Sequence, residues 1–139
     1  MEHKIIVFTD GGARGNPGPA AYGVFICDEK GKELAAIGKA IGISTNNIAE
    51  YAGVEGAFNW LLDNPNYSSK IYFYLDSLLV CNQLKGIYKI KNPTLMKMRQ
   101  GIAIAERKLR DKNIEITYQH IPRAQNKKAD ALVNKALDE

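Results

Sequence analysis

Residues 5–26 read IIVFTDGGARGNPGPAAYGVFI: an apolar run, a lone carboxylate, a loop of glycines and prolines, then a second apolar run. Glycines after a strand often mark a dinucleotide-binding turn. Here Gly11, Gly12, Gly15 and Gly18 do not fit G-x-G-x-x-G, and Pro17 and Pro19 would break a helix beginning at that point. The loop therefore joins strand to strand, in antiparallel fashion. The second run, Ala20 to Cys27, passes through DEKG, whose Gly31 suits a hairpin turn, into a third run, Glu33 to Ile41. A sheet that opens with three antiparallel strands is the first constraint on the fold.

Beyond it the period changes. In STNNIAEYAGVEGAFNWLLDNP, Tyr51, Val54, Phe58 and Leu62 recur at helical spacing, Asn46 suits the N-cap, and Pro65 marks the end. KIYFYLD, Lys70 to Asp76, is β-branched and aromatic, which predicts a central strand buried on both faces. Ser77 caps a short predicted helix that Gly86 ends, and Pro93 opens a longer one. IEITYQH, Ile114 to His120, alternates as a fifth strand should, and NKKADALVNKALDE closes the chain as a helix. The order is βββαβααβα, without repeats, low-complexity segments or linkers.

With 139 residues, 45% hydrophobic and 24% charged, the chain fits one globular domain spanning residues 1–139. No apolar stretch approaches the ~20 residues that span a bilayer, and MEHKIIVF runs straight into a strand, so no signal peptide and no membrane association are expected, and the cytoplasm is the expected setting. Cys27 and Cys81 match no metal spacing and read as buried reduced thiols. A net charge of +4 permits an anionic partner without demanding one.

Among 15 acidic residues, local context separates four. Asp10 follows IIVF by one Thr, and Asp76 directly follows IYFYL. If those strands are parallel neighbours joined by a right-handed crossover, their ends lie about 5 Å apart. Glu50 shares its helix face with Val54, Ala57 and Leu61, and Asp130 lies above Val133 and Leu137, so both border packed faces. Each acid alone has a bland reading as a helix-dipole partner or turn former. Together they cannot all stay ionised without a cation or a proton among them. Hard oxygen donors without histidine or thiolate favour Mg²⁺ or Mn²⁺, a set suited to phosphoryl chemistry with paired ions.

These residues resemble the type 1 ribonucleases H, which cut the RNA strand of RNA–DNA hybrids. The resemblance runs the length of the chain through FTDGGARGNPGPAAYG, TNNIAEY, YLDSLLV and HIPRAQNKKADALVNKAL. It implies an α/β ribonuclease H-like fold, a five-stranded mixed sheet of order 3-2-1-4-5 flanked by helices. It also implies that Asp10, Glu50, Asp76 and Asp130 hold two Mg²⁺ ions, with Mn²⁺ as a substitute and Asp10 bridging the pair. Asn16, Asn46 and Asn47 match positions that contact the hybrid's minor groove, although Asn is also a turn former and helix cap. Thr45 matches a DNA-strand phosphate contact. The implied reaction leaves 5'-phosphate and 3'-hydroxyl ends.

Two features depart from the family pattern. Some members carry a mobile histidine before the last acidic helix; here that loop reads HIPRAQNKK, with Arg123 the preferred counterpart and His120 at the end of a strand. The chain is also a short form, expected to lack both the basic handle and a separate hybrid-binding domain. Lys85, Lys89, Lys91, Lys97 and Arg99 are the nearest substitutes for phosphate contacts, with Tyr88 stacking, unless they form only a solvated basic face. No obligate protein partner is evident. Two other functions fit the same sequence: a catalytically weak or silent nucleic-acid-binding module of this fold, or a related nuclease acting on double-stranded RNA or DNA.

Overall fold

The computed structural model describes residues 3–64 and 69–139. Its strands are β1 (Lys4–Ala13), β2 (Gly18–Asp28), β3 (Glu33–Ser44), β4 (Lys70–Leu75) and β5 (Glu115–His120). The helices are α1 (Asn46–Asp63), α2 (Leu78–Leu84), α3 (Pro93–Arg110) and α4 (Lys127–Asp138), with a 3₁₀ turn over Arg123–Gln125 before α4. One sheet holds these strands in the order β3-β2-β1-β4-β5. β1 pairs antiparallel with β2, which pairs antiparallel with β3; β1–β4 and β4–β5 are parallel.

The register explains where the site forms. Parallel pairing of β1 with β4 ends at Thr9 opposite Leu75, so Asp10 and Asp76 are the next residues on adjacent strands. β1 itself does not stop at Thr9. It continues to Ala13 against β2, with Asp10 opposite Gly23 and Ala13 opposite Ala20. The strand outruns its apolar segment because the tight turn, closed by the Arg14 N–H donating to the Pro19 carbonyl at 2.8 Å, keeps the ladder in register through the glycines.

The main core lies on the α1 side of the sheet. Ile5 and Val7 of β1, Val24 and Ile26 of β2, and Ile71, Phe73 and Leu75 of β4 meet Tyr51, Val54, Ala57, Phe58 and Leu61 of α1. Phe73 stacks on Phe58 at 4.8 Å and leans on Tyr118 at 5.2 Å. On the opposite face α4 packs on β2, β3 and β1, with Val133 and Ala136 over Ala21. That helix does not extend over β4, so Tyr72 and Tyr74 are only half-buried. β4 is central in the sheet, but the expectation of burial on both faces is corrected.

The N-cap of α1 is also corrected. Thr45, not Asn46, caps it, its hydroxyl accepting from the Ile48 N–H at 3.2 Å. α1 ends at Asp63; Pro65, the expected terminator, lies outside the described residues. Ser77 and Asn92 cap α2 and α3, and Pro93 opens α3. Among the described residues no helix is long and apolar enough to cross a membrane.

Candidate metal centre and nucleic-acid cleft

Three carboxylates converge where β1 and β4 part. Asp10 comes from β1, Asp76 from the end of β4, and Glu50 from the second turn of α1, and their nearest oxygens all lie within 4.8 Å of one another. Glu50 reaches this point because α1 approaches β1 closely at Gly11. A Cβ there would collide with the Ala49 carbonyl group and the Glu50 nitrogen. The same device operates at Gly23, where a Cβ would strike the Ala129 carbonyl and keep α4 off the sheet. Asp130, in the first turn of α4, faces the same cleft but lies outside the tight trio. Its Oδ2 accepts from Asn134 at 3.5 Å.

Asp10 and Glu50 are each 7% exposed. Burial, then the charge of Asp76, raise the Asp10 carboxyl from 3.8 to about 7, and Asp130 adds to the effect. Hydrogen bonds from Glu50 and from the Gly11 N–H, the latter at 3.0 Å, oppose the rise. Burial, and then Asp10 and Asp76, push Glu50 well above the ordinary carboxylate range. Its Oε2 is buried without a hydrogen-bond partner. A buried acceptor left unmatched among like charges fits a cation: the donors are all hard oxygens, and a bound divalent ion would satisfy the orphan and relieve the repulsion.

The trio forms the base of a cleft of about 400 Å³, whose walls include Asn46, Asn47, Ser77, Arg123, Asp130 and Asn134. Arg14 lines it too and pairs with Asp138 of α4 at 2.7 Å, across an exposed surface. Arg123 opens onto the cleft from the 3₁₀ turn. His120 does not line it; its Nε2 lies 3.2 Å from the Asp76 backbone carbonyl.

Two asparagines tie the turn to α1, and a third extends the row. The Asn46 N–H donates to Asn16 Oδ1 at 3.0 Å, and the Ala13 N–H donates to Asn46 Oδ1 at 2.8 Å. Asn47 faces both the acidic cleft and a neighbouring groove of about 500 Å³, where Asn16, Thr45, Lys89, Lys91 and Asn92 meet. Lys85 and Tyr88 are exposed on the connection between α2 and α3. Arg99 is not available there. Its guanidinium donates to Glu106 at 2.9 Å and to the Leu84 carbonyl at 3.0 Å, which removes it from the expected basic face.

Sequence reasoning missed Asn126. Its position before α4 reads as a cap, yet its side chain makes no cap bond and reaches Asp76 instead. Only the tertiary fold reveals that interaction, since 50 residues separate the two.

A family model described as "Reverse transcriptase-like" matches residues 8–136. The chain is 38% identical over 137 residues to the "Bifunctional protein Rv2228c" of Mycobacterium tuberculosis, covering 97% of this chain and 36% of that protein. It is 37% identical to the "Ribonuclease HI" of Halobacterium salinarum, covering 98% of this chain and 65% of the relative. The chain thus spans about a third of the mycobacterial protein's length. Among solved structures, LC11-RNase H1 in complex with an RNA/DNA hybrid superposes with a TM-score of 0.89 at 41% identity, covering 96% of both chains. RNase H1 from the halophilic archaeon Halobacterium salinarum superposes at 0.84 with 37% identity, covering 97% of this chain and 98% of that one.

Proposed function

The chain belongs to the type 1 ribonuclease H family, and on that premise we propose that it hydrolyses the RNA strand of RNA–DNA hybrids as a single catalytic domain over residues 1–139. The observation that carries this reading is the convergence of Asp10, Glu50 and Asp76 within 4.8 Å at the base of an open cleft. With Asp130 beside them, these acids are the proposed holders of two Mg²⁺ ions, Mn²⁺ being the substitute. Bound there, the ions supply a nucleophilic water and stabilise both the attacking and the leaving oxygen of an in-line displacement.

The chain's own residues have separate tasks in this reading. Asp10 and Glu50 stay short of full ionisation until a cation compensates them, which couples catalytic competence to metal loading. Asn16 and Asn46 spend their Oδ1 atoms on backbone N–H groups, so their Nδ2 donors remain for substrate. Those donors suit minor-groove base acceptors and 2'-hydroxyls, the groups that distinguish the RNA strand, and Asn47 extends the row. In the adjoining groove, Thr45 and Lys89 meet phosphates of the paired strand, with Lys85 and Tyr88 extending the grip. Arg123, which lines the cleft, assists the departing group in preference to His120. The products are 5'-phosphate and 3'-hydroxyl ends. Cleavage proceeds without an obligate protein partner. A cytoplasmic setting belongs to the same proposal, and the free, buried Cys27 and Cys81 agree with it.

The test is incubation of the protein with labelled RNA–DNA hybrid, double-stranded RNA and double-stranded DNA, each with Mg²⁺, Mn²⁺ or chelator. Hybrid cleavage restricted to the metal arms is expected. Hybrid binding without cleavage in either metal would replace this reading with a silent binding module, and preferential cleavage of another duplex would replace the substrate.

A further inference from the structure

Asn126 is 1% exposed, and its hydrogen bonds converge on the acidic cleft. Its Nδ2 donates one hydrogen to the Thr9 carbonyl at 2.9 Å, next to Asp10 on β1, and the other to Asp76 Oδ2 at 3.0 Å beyond β4. Its backbone N–H donates to the Arg123 carbonyl at 3.0 Å, and its own carbonyl accepts from the Asp130 N–H at 3.1 Å. The amide orientation is fixed by its partners. Turned over, Oδ1 would face two acceptors, the Thr9 carbonyl and the Asp76 carboxylate.

A residue in this place would ordinarily cap α4, and Asn126 makes no such bond. Both its donors instead hold the gap between β1 and β4. A neutral donor restrains a carboxylate without cancelling its charge, whereas a Lys or Arg would compete with a cation for it. Asp10 and Glu50 repel Asp76, and among the described residues no other side-chain hydrogen bond holds the Asp76 carboxylate toward them.

We infer that Asn126 is a positioning residue of the metal centre: by tethering one oxygen of Asp76 to β1, it presents the carboxylate for cation binding alongside Asp10 and Glu50. The inference rests on the metal-centre reading above and assigns Asn126 a role beyond capping. Asn126 holds the outer side of a ligand, the kind of interaction whose removal typically costs about 10- to 100-fold in metal affinity.

The experiment is an electron paramagnetic resonance titration of Mn²⁺ with the metal-free chain and its Asn126→Ala, Asn126→Asp and Asp10→Asn variants. Circular dichroism checks folding, and hybrid binding is measured in chelator. Expected are about 10-fold or greater weakening of Mn²⁺ binding in the folded Asn126→Ala protein and hybrid affinity in chelator equal to the parent. Asn126→Asp keeps the side-chain volume and removes both donors, so it replaces the alanine variant if that one does not fold. Parental Mn²⁺ affinity in a folded Asn126 variant overturns the inference, as does unfolding of both variants, which would assign the residue to the fold alone. Parental Mn²⁺ affinity in Asp10→Asn would instead overturn the metal-centre reading itself.

Discussion

Asp10 concentrates the electrostatics of the site in one side chain. Its carboxyl is raised from 3.8 to about 7, so in the metal-free protein the native state holds a proton that the unfolded chain has already released across that window. The stability it contributes is therefore greatest below about pH 4 and declines as the pH rises toward 7, and Glu50 moves it in the same direction. A thermal melt in chelator should show the midpoint falling over this range, with Mg²⁺ restoring more of it at pH 8 than at pH 5. Asp10→Asn should flatten the chelator profile and abolish hybrid cleavage while keeping the fold. A midpoint that rises with pH in chelator and ignores Mg²⁺ would contradict the metal-free electrostatics. At the mouth of the cleft, Arg123→Ala should lower turnover and His120→Ala should leave it unchanged, because of the two only Arg123 lines the cavity. The reverse pattern in single-turnover rates would exchange the two roles.

At the scale of elements, the site is set by how closely two helices approach the sheet. Gly11 lets α1 bring Glu50 over β1, and no side chain can occupy its place without meeting α1 backbone. Gly11→Ala should cost about 1–3 kcal/mol or more of folding free energy, the range for forced overpacking, and weaken Mn²⁺ binding with it. Equilibrium denaturation beside a metal titration reads both; a variant with unchanged metal affinity would separate Glu50 from the centre. The entry to α1 gives two neighbours different tasks, with the cap on Thr45 rather than on the Asn46 that the sequence favours. Thr45→Ala should lose about 1 kcal/mol of cap energy, whereas Asn46→Ala should instead loosen the turn that carries Asn16.

For the whole molecule, the basic excess of +4 is not presented on a protruding handle among the described residues. α2 ends at Leu84 and α3 begins at Pro93, so the connection has room for a short basic stretch and no further helix. Hybrid binding should accordingly be weak and should fall with salt. The Lys85→Ala, Lys89→Ala double variant should lower affinity and reduce the slope of log affinity against log salt by roughly one for each phosphate no longer neutralised. Filter binding at several salt concentrations measures it. An unchanged slope would return both lysines to the category of solvated surface charge.

The sequence by itself determined the element order, the three antiparallel opening strands and the candidate acids, because period, turn chemistry and the placement of Asp10 and Asp76 after apolar runs are local signals. Helical periodicity could name Glu50 as inward-facing for the same reason. It could not decide that β1 runs past its apolar segment to Ala13, since that extension depends on pairing with β2. Nor could it show that the second face of β4 stays half open, which follows from where α4 packs. Arg99 has the sequence context of a surface cation, but α3 and β5 bring Glu106 and Tyr118 together beside it. Asn126 has the sequence position of a cap, but the fold sets it against Thr9 and Asp76, residues 117 and 50 positions away. Side-chain partners at such separations are fixed by packing, and packing is the part of the protein that only its tertiary structure decides.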